Sequence, residues 1–220
     1  MTVILKPFYW ARLMKKRKLV LGIGINDSDY QASRYELVSG VRKRVWACPF
    51  YRAWSNMLNR CYSGSYQKLY PTYSGCEVID EWRRLSSFTE WMRSQLWDGA
   101  HLDKDILSPG NKVYGPDKCV FISASLNIFL IDSGASRGEW PIGVHWVARD
   151  KAFQSSCRNP FTDKQESLGL FACPVEAHKA WRNKKHQHAC RYADMQTDPR
   201  IAEALRNRYI ENKDYSNAVT

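Results

Sequence analysis

Four stretches of this sequence hold side chains whose types and spacing could do chemistry. His186, His188 and Cys190 are metal-ligand types set close together. On a helix, positions 186 and 190 share a face and 188 does not, and a structural zinc ion normally takes four ligands. No second ligand pair lies near them, so these three read as ordinary helix residues rather than a zinc site. Residues 22–27, GIGIND, are glycine-spaced. They lack the third glycine and the strand–turn–helix setting of a nucleotide loop, and read as strand and turn. Residues 12–18, RLMKKRK, include Lys15, Lys16 and Arg17. This basic cluster suits either a DNA-contacting arm or a solvated helix face. The fourth stretch, 101–127, gathers His101, Asp103, Asp105, Asn111 and Asn127 among turn signals. Taken alone, its aspartates would satisfy turn backbone groups, and Asn111 would tolerate a left-handed conformation after Gly110.

The elements that position these residues follow from apolar periodicity. Phe50, Trp54, Met57, Leu58 and Cys61 recur at helical spacing and predict an amphipathic helix over 49–62, with Arg52, Asn56 and Arg60 off the stripe. A loop rich in Tyr, Ser and Gly is expected over 62–75. A second helix is expected near Ser87, with Ser87 and Glu90 at capping-box spacing and Phe88, Trp91, Met92 and Leu96 as its buried stripe. Residues 101–127 predict a compact ββ unit, with a strand near 119–122, and then a short helix. Residues 132–140 are small, polar and glycine-rich, the composition of a linker. Three strands follow at 142–147, 153–158 and 165–171. Pro174 suits a helix start, and Glu176 complements its positive end. Ala177, Ala180, Trp181, His188 and Tyr192 give this helix a sheet-facing stripe. Asp198-Pro199 caps a last helix with Ile201, Leu205 and Tyr209 four residues apart. Residues 1–45 are hard to read beyond the basic cluster and the glycine-spaced turn.

Composition narrows the function class. Of 220 residues, 44% are hydrophobic and 13% aromatic, enough for a packed core and against global disorder. The formal net charge is +11. Such an excess attracts polyanions, because each Lys or Arg placed on a phosphate releases a condensed counterion. Solubility alone does not need this much charge. The seven Cys form no CxxC pair, their number is odd, and the apolar run at 2–5 is too short for a signal core. No stretch approaches a membrane span. Reduced thiols and a cytoplasmic setting, with no membrane partner, are expected.

The segment 142–181 resembles the Apetala/ethylene-response-factor type of DNA-binding domain found in phage and mobile-element homing endonucleases. Gly143-Val144, Trp146, Phe153, Leu168-Gly169-Leu170-Phe171 and Pro174-Val175-Glu176-Ala177-His178 carry the resemblance. It implies that the sheet, not the helix, enters the major groove of double-stranded DNA. Its groove-facing positions fall on His145, Arg149, Ser156, Arg158, Gln165 and Ser167, while Val147 stands where an arginine is usual. The stretch 50–127 is similar to a phage module related to the HNH nuclease fold. That likeness rests on Tyr51, Trp54, Met57, Arg60-Cys61-Tyr62, Glu81-Trp82, Phe88, Leu102-Asp103-Lys104-Asp105, Asn111, Tyr114, Pro116, Cys119 and Asn127.

This second resemblance implies a general base, His101, a first metal ligand at Asp103 or Asp105, and Asn111 and Asn127 as the orienting residue and last ligand of a divalent metal such as Mg. Asp103-Lys104 occupies the usual histidine pair, and a lysine beside a metal ligand opposes cation binding. The expected fold class is α+β: a basic segment at 1–45, an HNH-like helix/ββ module at 46–131, and an Apetala-like three-stranded antiparallel sheet packed on one helix at 132–194. A C-terminal helix and tail follow at 195–220. The expected function is DNA binding, with two alternatives open. One is metal-dependent cleavage or nicking, in the host cytoplasm for a phage-encoded chain. The other is a non-catalytic DNA-binding regulator, or an inhibitor of a host protein. A third reading is an RNA binder that stacks bases on exposed aromatics.

Overall fold

The computed structural model describes residues 19–131 and 138–210. Lys15, Lys16 and Arg17, and most of the expected linker, lie outside them. The chain forms two compact units. Of the described residues, one unit comprises 19–98 together with Gly110–Val120; the other comprises Gly99–Pro109, 121–131 and 138–210.

The first unit opens with an antiparallel hairpin, β1 (Ser33–Val38) and β2 (Val41–Ala47). Ser39 and Gly40 join the strands in a two-residue turn with positive φ at both positions, the turn whose twist matches that of the strands. Helix α1 (Pro49–Tyr62) follows, capped by the Cys48 thiol, which accepts the Tyr51 amide. Its predicted stripe is the core: Trp54, Met57 and Leu58 are fully buried, and Trp54 Nε1 donates to the Trp82 carbonyl at 2.7 Å. Gly24 lies against this face. A Cβ there would stand 2.4 Å from Leu58 Cδ1 and 2.8 Å from Trp54, so the glycine of GIGIND serves close packing.

The expected loop after α1 contains a short helix, α2 (Gly64–Leu69), capped by Ser63, and a 3₁₀ turn at Pro71–Tyr73. Strand β3 (Glu77–Val78) leads through a second 3₁₀ turn, Asp80–Arg83, to α3 (Leu85–Arg93). The capping box expected at Ser87 and Glu90 is not there, because α3 begins two residues earlier. Asp27 does the capping from outside the helix: its carboxylate accepts the Ser86 amide at 2.9 Å and the Ser86 hydroxyl at 2.7 Å. Burial opposes the charge on Asp27, but these hydrogen bonds and Arg84 outweigh it and hold the pKa below the ordinary carboxylate value. Leu96, expected in the buried stripe, is 78% exposed, because the helix ends at Arg93.

In place of the single ββ unit expected over 101–127, three short strands, β4 (Ala100–Asp103), β5 (Val113–Tyr114) and β6 (Val120–Ser123), belong to two separate sheets. Strand β4 pairs with β6, and β5 pairs in parallel with β3. Ser123 caps α4 (Ala124–Leu130).

In the second unit, β7 (Val144–Val147), β8 (Ala152–Arg158) and β9 (Gln165–Phe171) form the expected three-stranded antiparallel sheet, with β8 in the middle. Helix α5 (Pro174–Asp194) lies on one face, and α6 (Pro199–Asn207), capped by Asp198, packs on α5. All seven cysteines are free thiols; Cys48, Cys61, Cys76, Cys119 and Cys157 are buried. No helix among the described residues is long and apolar enough to cross a membrane.

Candidate nucleic-acid interface

Alternation along β8 decides which face of the sheet is available. Phe153, Ser155 and Cys157 are buried toward α5, so Gln154, Ser156 and Arg158 point the other way. The start of β7 is fixed to the helix at Gly143. Its φ is +82°, and a Cβ would stand 2.0 Å from the Trp181 ring. His178 stacks on Trp181 at 5.3 Å and lies 2.9 Å from the Ile142 carbonyl. Trp146 and Trp140 both meet the Phe153 ring at 4.8 Å. Several residues that carry the family resemblance are thus the ones that lock sheet to helix.

The open face carries a chain of polar contacts across all three strands. His145 Nε2 meets Gln154 Oε1 at 3.0 Å, and Gln154 Nε2 donates to Ser167 Oγ at 3.3 Å. One step along, Gln165 Nε2 donates to Ser156 Oγ at 2.8 Å. Gln154 sits at the centre of this array and was missed by the sequence reading. Counting back two residues from Ser156 finds it. Leu170, 51% exposed and paired with Gln154 across β8 and β9, adds an apolar group beside the amide.

Arg149 and Arg158 lie at opposite ends of the sheet. Arg149, in the β7–β8 turn, holds Asp150 through two hydrogen bonds at 2.8 and 3.0 Å. Arg158 pairs with Asp163 of the β8–β9 loop at 2.7 Å. Both pairs are exposed, so the guanidinium groups can exchange these carboxylates for phosphate oxygens at little cost. Lys151 and Lys164 stand exposed in the same two connections. Beneath the sheet, on its helix side, Glu166 joins Lys184 at 2.9 Å and Asn159 at 2.8 Å. His188, 2% exposed, faces the same carboxylate at 3.8 Å.

The residues expected to make a nuclease centre are arranged differently. His101 Nδ1 and Asn127 Nδ2 approach to 3.4 Å, joining β4 to α4. Asp103 Oδ1 accepts the backbone amides of Asp105 and Ile106 at 2.8 and 2.7 Å, and so closes its own turn. Lys104, only 5% exposed, places its ammonium 2.7 Å from Asp105 Oδ1. Asn111 folds its amide onto Val113, donating to the carbonyl and accepting the amide at 2.8 and 3.0 Å. One oxygen of each carboxylate is already engaged, Asp103 Oδ1 by backbone N–H groups and Asp105 Oδ1 by the Lys104 ammonium, a cation that opposes a second one beside it. No three His, Cys, Asp or Glu side chains among the described residues converge as metal ligands. His186 and Cys190 approach each other at 3.5 Å without a third partner of this kind.

No family model, curated protein or solved structure matches the chain.

Proposed function

We propose that the protein binds double-stranded DNA through the open face of the β7–β9 sheet and does not cut it. One observation carries the reading: amide, imidazole and hydroxyl groups form a continuous array across three strands, with basic side chains in the turns at both ends. Glutamine amides match the donor–acceptor edge of adenine in the major groove, and arginine and lysine match phosphates. Strand β8 has seven residues, or roughly 23 Å at 3.3 Å per residue, so the two basic ends can reach phosphates on either side of a groove about 12 Å wide. The net charge of +11 supports the same partner.

The HNH-like module is proposed as a binding scaffold, because the Lys104 ammonium and backbone amides already engage one oxygen of each of the two carboxylates. A regulator of the non-catalytic class fits this arrangement. The test uses the full chain with a pool of random duplexes and with supercoiled plasmid in Mg²⁺ and Mn²⁺. The expected result is a shifted plasmid without nicks, and a selected site for which Gln154→Ala loses about 1–3 kcal/mol. Metal-dependent nicks that vanish in His101→Ala would return the nuclease. A Gln154→Ala protein with unchanged affinity and site preference would remove the sheet as reader.

A further inference from the structure

The β1–β2 hairpin keeps almost every side chain in solvent on both of its faces. Leu37 is 77% exposed, Val41 58% and Trp46 43%. A two-stranded ribbon gains little stability by itself. This one is held by Arg44, whose guanidinium donates to Ser55 Oγ of α1 at 3.4 Å, and at its base. There Ala32 and Ala47 are buried and the Cys48 amide donates to the Ala32 carbonyl at 2.9 Å. Strand β2 carries three consecutive cations, Arg42, Lys43 and Arg44, between Val41 and Val45. The register puts Tyr35, Leu37, Arg42 and Arg44 on one face, with the Arg42 guanidinium 4.7 Å from the centre of the Tyr35 ring. No carboxylate lies on that face. The opposite face carries Lys43 and a single acid, Glu36, which Arg34 approaches at 3.5 Å.

We propose that this ribbon is a second DNA-binding element, which enters the major groove with Arg42 and Lys43 on the phosphates of its two walls. Three features favour duplex DNA as the occupant. Cations outnumber acids, so the partner is a polyanion. The major groove of B-form DNA admits a two-stranded β-ribbon. Six paired residues reach about 20 Å, enough to cross that groove. The deep, narrow major groove of A-form RNA does not admit such a ribbon. The exposed valines and Leu37 then meet base methyl groups and sugars rather than water.

This inference stands apart from the sheet reading, since the ribbon and β7–β9 belong to different compact units. The test measures affinity of the full chain for a random-sequence duplex by fluorescence anisotropy between 50 and 200 mM salt. The double variant Arg42→Gln/Lys43→Gln is compared with the unsubstituted chain and with Gln154→Ala. Both substituted side chains are exposed, and a thermal melt of each variant verifies its fold. Loss of two phosphate contacts should flatten the slope of log affinity against log salt by about 1.8, at about 0.9 per contact. Across that salt range, the affinity of the unsubstituted chain then falls about twelvefold more than that of the variant. Gln154→Ala should keep the full slope. An unchanged slope in the ribbon variant would overturn the ribbon while leaving the sheet standing. Equal competition by duplex RNA would overturn the groove assignment. No DNA binding by the full chain would overturn both.

Discussion

His188 is a buried imidazole in the second unit, with no hydrogen-bond partner for either ring nitrogen among the described residues. Burial pushes its pKa below 6.5 despite the opposing pull of Glu166, and Lys184, Arg191 and Lys185 push the same way as burial. In the unfolded chain the ring takes up a proton near pH 6.5, whereas in the fold it does so only at lower pH. The unfolded state binds more protons in that interval, so this stability contribution is complete above about pH 6.5 and declines as the pH falls below it. His188→Leu should retain the melting temperature at pH 8 and lose less of it between pH 7 and 5.5. Melting curves across that range test this, and parallel declines in the two proteins would remove His188 as the cause.

At the scale of the element, the sheet-to-helix lock at Gly143 is the most sensitive joint of the second unit. Gly143→Ala forces a left-handed backbone onto an L residue and drives its Cβ into Trp181. A loss of about 2–3 kcal/mol is expected from strain and overpacking together. Chemical denaturation measures it; a loss below 1 kcal/mol would mean that the Trp181 ring swings away freely. Strand β8 was legible because alternate residues, Phe153, Ser155 and Cys157, are buried, while β7 and β9 were legible from the turn residues that separate them from β8. The β1–β2 ribbon was not legible, since nearly all its side chains are exposed and the run Arg42-Lys43-Arg44 breaks any period of two. The start of α3 was misread because its capping carboxylate, Asp27, lies 59 residues before Ser86, and no local pattern contains it. Of the residues expected at a nuclease centre, His101 and Asn127 meet at 3.4 Å, whereas Asn111 bonds to Val113 and Lys104 pairs with Asp105, contacts that needed coordinates.

At the scale of the whole molecule, the chain passes between its units three times, at 98/99, 109/110 and 120/121. Helix α4 therefore belongs with the sheet that follows it. Phe129 is 4% exposed, its ring lies 5.1 Å from that of Tyr192, and its carbonyl accepts from Lys185 Nζ at 2.7 Å. A fragment of residues 121–210 should be more stable than one of 138–210, by about 3 kcal/mol or more for the Phe129 contacts. Calorimetry of the two fragments tests this, and equal transition temperatures would mean that α4 adds nothing. The burial of five thiols has a further consequence. A maleimide probe should modify the partly exposed Cys173 and Cys190 at once, but reach the others only when the surrounding structure opens. Cys48, Cys61, Cys76 and Cys119 lie in one unit and Cys157 in the other. Labelling rates read residue by residue would therefore time the opening of each unit in the intact native chain, with no engineered reporter.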